Sequence, residues 1–476
     1  MSSKLVSDDL PIIWKNDSRY EAARTRVFPQ NHPARFPKAV VRPTKLEHII
    51  EAVKLAKSLG VRVSVRSGGH SWASWSIRHD TILIDLVDYK CTEYHRESEI
   101  LEASPSTTSQ ETCEFLDSYG RFVPAGHCGE VGLGGFILQG GMGLNARGDG
   151  WLCSYLIGIE VVNDEGEVLY CDEEQNEDLF WAARGSGPGF PAIVTKFFLK
   201  TRPSSPVHRR SMLVYPIAAY DVVMKWFLKV GSDTMPEVKK AFQILPSIDR
   251  SVEPLITSSH TAEKGYILGI GCTVRANTDN EAFEKLSILT DGPPSGAILV
   301  ERAISTNYRE EYRFGAQALP SGNRWKVDNV YIDPAFDLTE VCRYSWTRLP
   351  LGGTAYWEPM NPVSQETMPD MALSMQTDHY IALYAAYKDP EEDLMQHDWI
   401  MRSMKTLLPY AVGSYLGDFD FQTRSSKFWS ERANNRLAAI REKYNPEGRI
   451  CGYLDKDDKS GVKGLLNELP IDVAKI

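Results

Sequence analysis

Apolar positions along this chain recur with two different periods, and the switches between them mark its elements. Leu46, Ile49, Ile50, Val53 and Ala56 fall at helical spacing. They predict a helix that starts at Thr44-Lys45-Leu46-Glu47, a capping-box pattern, and is closed by Gly60. Val61, Val63 and Val65 then alternate with Arg62 and Ser64, a strand that delivers the chain into Arg66-Ser67-Gly68-Gly69-His70-Ser71. Short strands are predicted at 82–86 and before Pro105, then a helix over 108–119 with Gly120 as its C-cap. Strands over 156–162 and 167–170 flank the turn Asn163-Asp164-Glu165-Gly166 and predict a hairpin. A short helix at 178–184 and a strand at 193–199 complete the first part. Strands and helices interleave, so the fold class is α+β.

Thr201-Arg202-Pro203-Ser204-Ser205-Pro206 breaks the pattern with Pro and Ser between two ordered segments. Beyond it, strands (211–215, 266–274, 380–387) alternate with helices (218–230, 280–289, 391–407), the pattern of an antiparallel sheet covered by helices on one face. A last helix is predicted over 425–444, ended by Asn445-Pro446-Glu447-Gly448. The expected organisation is a first domain over 1–205, a second over 206–415, and a terminal segment over 416–476 that returns to the first.

A chain of 476 residues with 42% apolar content can fill two cores. Its net charge of -10 and the lack of a Lys/Arg run exclude a nucleic-acid surface, because phosphate contacts need clustered cations. No apolar run approaches the roughly 20 residues that span a bilayer. The start, Met1 to Asp9, is polar and acidic and unlike a signal peptide, which predicts a cytoplasmic protein. Eight cysteines stand scattered with no C-x-x-C pair, so they read as reduced thiols, and no metal site is predicted. A monomer acting on a small molecule is the expectation.

One stretch changes this picture. Gly126 to Gly150 holds ten glycines in twenty-five positions. Glycine loses the most conformational entropy on folding, so such a density predicts backbone wrapped around a bound group. The candidate binding residues are Arg66, Ser67, Gly68, Gly69, His70 and Ser71 in the first loop, and Gly126, His127, Cys128, Val131, Gly132, Gly134, Gly135, Gly140, Gly141 and Gly143 in the second. Successive amides in the first loop suit a pyrophosphate. A dinucleotide fingerprint at Gly141-Met142-Gly143 is rejected, since no β-branched strand precedes it.

Val65-Arg66-Ser67-Gly68-Gly69-His70-Ser71, Pro124-Ala125-Gly126-His127-Cys128-Gly129-Glu130-Val131-Gly132-Leu133-Gly134-Gly135 and Gly140-Gly141-Met142-Gly143 together resemble the berberine-bridge-enzyme-like flavoprotein oxidases, with a vanillyl-alcohol-oxidase type FAD-binding fold. The terminal Arg436-Leu437, Tyr444-Asn445-Pro446 and Gly452-Tyr453 are similar to that family's last segment, and Tyr453 joins the cofactor candidates. The resemblance implies FAD attached covalently through His70, to the 8α-methyl carbon, and through Cys128, to ring carbon C6. A thiolate and an imidazole nitrogen are both competent nucleophiles toward the ring. It also implies that Val131 leaves dioxygen a path to the flavin.

The chain departs from the family at Ser154, Gly417, Ala433 and Asn434, where Asp, Asn, Asn and an aromatic are usual. Ala382 stands where the bridge enzyme has its glutamate base. Strand parity puts Tyr380, Ala382 and Tyr384 on one face and Ile381, Leu383 and Ala385 on the other, so Tyr384 is the nominee for catalytic base or relay. A phenol needs a neighbouring positive charge to lower its pKa for that role. The expected activity is removal of hydride from a bulky alcohol or aromatic secondary metabolite, with dioxygen reduced to hydrogen peroxide. Oligosaccharide oxidation, oxidative ring closure, or a dehydrogenase using another acceptor are the alternatives. The chain carries neither G-x-S-x-G nor H-E-x-x-H, the marks of common hydrolases.

Overall fold

The structure is a computed structural model and describes residues 7–229, 248–290, 292–452 and 465–470. The predicted end of a helix at Val230, and Tyr453, lie outside the described residues. Val63–Arg66 pairs in parallel with Ile82–Asp85, which pairs in parallel with Ala39–Val41, and Ile12–Trp14 completes this small sheet in antiparallel sense. The helix predicted from 44 runs over Leu46–Ser58 and buries Ile49, Ala52, Val53 and Ala56 in the core it shares with that sheet. Its start differs from the capping box expected there. Lys45 is the N-cap and no side chain caps the helix; the Thr44 hydroxyl meets His48 Nδ1 at 3.4 Å instead. A capping box forms at Ser109–Asp117: Glu111 N donates to Thr108 Oγ1 and Thr108 N donates to the Glu111 carboxylate, an arrangement worth about 1 kcal/mol.

A second sheet is antiparallel throughout, in the order Thr92–His95, Ile100–Ala103, Ile193–Lys200, Leu156–Val162, Val168–Cys171. Its last two strands are the predicted hairpin. Leu101, Ile159, Val161 and Phe197 point into the same core as Ile137, Leu179 and Phe180, so helices Leu133–Leu138 and Glu177–Ala183 are packed against this sheet.

The third sheet has eight antiparallel strands in the order Leu299–Thr306, Val207–Pro216, Gly265–Ala276, Val252–Thr261, Gly353–Pro359, His379–Tyr387, Arg324–Ile332, Ala411–Gly413. Three contain the predicted strands; Val252–Thr261 hid behind its Thr, Ser and His residues. One face packs on helices Asp279–Thr290, Leu338–Thr347 and Asp393–Leu407, with Ile256, Ile270, Trp357, Ile381 and Leu383 buried against Leu286, Trp346 and Met404. The opposite face turns Tyr331, Tyr380, Ala382 and Tyr384 into the core shared with the second sheet. The parity expected for 380–385 is therefore observed, and the α+β class with an antiparallel sheet covered by helices stands.

The last helix begins at Glu431, later than 425, where Ser430 caps it by accepting from Ala433 N. Its Arg441 donates to Gly189 O at 3.0 Å, and Ile450 bridges Val63 in parallel, so the segment just after the helix returns to the first sheet. Among the described residues no helix is long and apolar enough to cross a membrane, and all eight cysteines are free thiols.

Candidate active site

The two glycine-rich loops touch each other through their backbones. A Cβ on Gly68 would lie 2.5 Å from Gly132 N, and one on Gly132 would lie 2.7 Å from Gly68 N. No side chain fits at such distances, so these two glycines serve the contact between the loops. Gly69 has φ +81, a conformation that favours glycine. Behind the first loop the Arg66 guanidinium forms a buried ion pair with Asp85 at 2.7 Å and donates to Arg24 O at 2.7 Å. Arg26 also pairs with Asp85 and donates to Ser67 O at 2.8 Å. Arg66 therefore braces the loop from within, while the backbone N–H groups of Gly68, Gly69, His70 and Ser71 find no acceptor among the described residues. A run of free amides beside a cavity fits a bound anion such as a pyrophosphate.

That cavity, of about 460 Å³, is lined by residues 66–71 on one side and by Gly126, His127, Cys128, Val131, Gly132, Gly134 and Gly135 on the other. Gly140, Gly141 and Gly143 do not line it. They let the chain turn and close on itself: Gly140 and Gly141 have φ +109 and +78, and a Cβ on Gly143 would lie 2.2 Å from Pro124 O. The expected role of these three in touching the cofactor thus becomes a role in shaping the loop.

His70 stacks on Phe28, with ring centroids 4.5 Å apart. Burial, then the charge of Arg26, push its pKa down to about 4, so the imidazole is neutral at neutral pH and keeps a free lone pair. Cys128 is held the other way: burial raises its pKa, while the amides of Glu130 and Val131 favour the thiolate. Both side chains open into the one cavity.

The wall facing the loops comes from the eight-stranded sheet and the segment after it. Tyr356, Tyr380 and Tyr384 line it, joined by Trp72 and Tyr415. Trp72 lies edge-on to Tyr384 at 5.9 Å. Asp418 accepts from Trp72 Nε1 at 3.0 Å and from the Tyr380 hydroxyl. Asn329 fixes this segment, donating to Tyr415 O and Asp418 O at 2.9 and 2.8 Å and accepting from Tyr415 N at 2.7 Å. Tyr384 is in the cavity, as parity required. The condition set for it as a base is not met: burial, then the Asp418 carboxylate, push its phenol well above 10, so it stays protonated.

Sequence reasoning missed an acidic cluster. His127 Nε2 lies 2.7 Å from Glu253 Oε1, which also accepts from Asn145 N at 2.5 Å. Burial would lower the His127 pKa, but Glu253 outweighs it and raises it to about 9. Glu358 stands beside them, 2% exposed. Burial above all raises its pKa to about 7, against the pull of His127. The signal was a charged residue on the Tyr356 face of the strand Gly-Thr-Ala-Tyr-Trp-Glu-Pro, two positions along.

Comparison with known proteins agrees with this geometry. Residues 37–172, which include His70 and Cys128, match a family model described as an FAD binding domain. An FAD-linked oxidoreductase of Hypoxylon pulicicidum is 41% identical over 457 residues, 95% of this chain and 99% of that one. The solved structure of Physcomitrella patens BBE-like 1 aligns with TM-score 0.79 at 18% identity, over 94% of this chain and 96% of that one. The 6-hydroxy-D-nicotine oxidase of Arthrobacter nicotinovorans gives TM-score 0.79 at 18% identity, over 94% and 98%. The fold is thus that of a berberine-bridge-enzyme-like flavoprotein. The chain belongs to the FAD-linked oxidoreductases of that family.

Proposed function

We propose that this enzyme is an oxidase of a bulky alcohol or aromatic metabolite, with FAD bonded to both His70 and Cys128 and dioxygen reduced to hydrogen peroxide. In this reading residues 1–205 and 416–476 hold the cofactor and 206–415 hold the substrate. The observation that carries it is the shared cavity: His70 and Cys128 open into it from the cofactor loops, and Tyr356, Tyr380 and Tyr384 from the sheet. Bound FAD supplies the two-electron acceptor for hydride leaving a substrate carbon. The chain's own residues do the rest. The free amides at 68–71 hold the pyrophosphate, and Trp72 with the three tyrosines offers an apolar, aromatic surface with hydroxyls at its tips, suited to an aromatic ring system. Val131 also lines the cavity, and its small side chain supports access for dioxygen.

Acid precipitation tests the attachment. The pellet of purified protein stays yellow, stays yellow in Cys128→Ala, and turns colourless only when His70→Ala is added. Colour lost from the wild-type pellet would overturn the double attachment. Peroxide release during a screen of aryl alcohols, phenols and sugars tests the activity. Turnover with an artificial acceptor but not with dioxygen would make the enzyme a dehydrogenase.

A further inference from the structure

Four carboxylates line the cavity, those of Glu253, Glu311, Glu358 and Asp418; the two that accept from its tyrosines, Asp418 and Glu358, are engaged differently. Asp418 is loaded with donors, from Trp72 Nε1 and the Tyr380 hydroxyl. Glu358 accepts one, from the Tyr356 hydroxyl to Oε2 at 2.7 Å. Its Oε1 is buried and has no hydrogen-bond partner among the described residues. Glu358 sits on Gly353–Pro359 directly opposite Tyr380 in the sheet, and lines the cavity. Its carboxylate shares a cluster with His127 and Glu253 in which one imidazole nitrogen and one oxygen of each carboxylate lie within 4.8 Å of one another, and His127 is the neighbour of Cys128 in the glycine-rich loop. A buried carboxylate oxygen left without a donor costs stability, and such an arrangement persists where it has work to do.

We propose that Glu358 is the proton acceptor of the oxidation, with Oε1 facing the substrate and Tyr356 orienting the carboxylate through Oε2. The proposal rests on the oxidase reading. A substrate X–H bond breaks and its proton goes to Glu358 Oε1; the adjacent C–H bond breaks and its electron pair leaves as hydride to the flavin; a C=X double bond forms. The groups that face Glu358 fit this task. Tyr356 on its own strand and Tyr380 on the next are phenols held protonated by burial and by the neighbouring carboxylates. His127 is held as imidazolium by Glu253, which burial would raise and the imidazolium keeps low. Asp418 completes the set. Burial, with the pair of opposite charges largely offsetting each other, leaves Glu358 close to neutrality in its proton affinity, where a general base is most effective.

Two measurements on the holoenzyme decide it. Infrared difference spectra across pH 5 to 9 show a protonated-carboxyl band that disappears with a midpoint near 7 and is missing from Glu358→Gln; a band that persists in the variant, or never titrates, overturns the proposal. In the second, the probe is whichever aryl alcohol of the screen the wild type oxidises fastest. Glu358→Gln keeps its yellow colour and its KM within about threefold, loses kcat by about a hundredfold or more, and loses the acidic limb of the kcat/KM profile. Added formate restores part of the rate to Glu358→Ala. A kcat within about threefold of wild type with an unchanged profile overturns the role of Glu358 while the oxidase reading stands. A wild type that oxidises nothing, with dioxygen or with an artificial acceptor, sinks that reading and the proposal with it.

Discussion

The two sides of the cavity, the one proposed for the cofactor and the one proposed for the substrate, are built by opposite means. On the cofactor side the chain uses backbone: two loops pressed together at Gly68 and Gly132, with free amides at 68–71 and two reactive side chains, His70 and Cys128, at their edges. On the other side it relies on side chains, carried to one surface from strands far apart in sequence, with Glu253, Glu358 and Tyr384 as examples. A backbone device must be written in contiguous residues, because each glycine answers to its neighbours. A wall of side chains depends on strand register, which is set by distant partners.

The strongest way to break the comparison is at the contact between the loops. Gly68→Val places a branched side chain where even a Cβ would meet Gly132 N at 2.5 Å. The neighbour is backbone and cannot rotate aside, so the expected cost is about 4 kcal/mol or more. Little flavin should be retained, as read from visible absorbance relative to protein, and the melting temperature should fall. Gly120→Asn is the control: a Cβ there meets nothing within 4 Å, its φ of +64 is one that asparagine tolerates, and the position does not line the cavity. It should keep its flavin. Equal flavin retention in both variants would show that the loops tolerate a Cβ at 68, and that glycine density there reflects something other than close approach.

The same contrast decides which parts of the molecule are legible in its sequence. The loop residues carrying His70 and Cys128 are legible because their chemistry is local, and the hairpin at 156–171 because its turn is. Parity places Tyr384 correctly on the cavity face. Glu358 and Glu253 escape notice because the strands that carry them do not look like strands. Val252–Thr261 has polar residues on both faces, since one lies under the sheet's helices with its Ser258 hydroxyl bonded to Trp346 O at 2.8 Å. Gly353–Pro359 reads as loop by its Gly and Pro. Thr44 and Glu47 satisfy the capping-box pattern as Thr108 and Glu111 do, but at the first of these helices backbone geometry puts the cap at Lys45 and the box does not form.

A middle-sized effect concerns the energetic consequence of the Glu358 carboxyl. Its pKa rises on folding from 4.5 to about 7. Between those values the folded state holds a proton that the unfolded chain has released, so the unfolded state binds fewer protons and stability falls as pH rises through this window. At about 1.4 kcal/mol per unit the loss reaches about 3 kcal/mol above pH 7. Glu358→Gln cannot ionise. Its melting temperature should match wild type at pH 5 and exceed it at pH 8, where the difference amounts to about 2–3 kcal/mol. A gap that is the same at both pH values would mean that Glu358 does not hold its proton in the fold.

The smallest effect is expected at Tyr384. Its ring packs edge-on against Trp72 and Tyr356, at 5.9 and 6.4 Å, and phenylalanine preserves both contacts. What the substitution removes is a hydroxyl that stays protonated at any working pH, because burial and Asp418 both oppose phenolate. Such a group can donate a hydrogen bond but cannot take a substrate proton. Tyr384→Phe should therefore change kcat/KM by less than about tenfold, the worth of one neutral hydrogen bond of about 1 kcal/mol, and leave both limbs of the pH profile in place. If the variant instead lost about a hundredfold in kcat together with the acidic limb, the proton acceptor would be Tyr384 after all, and the substrate wall would work through a phenol lowered by the bound cofactor and not through the open oxygen of Glu358.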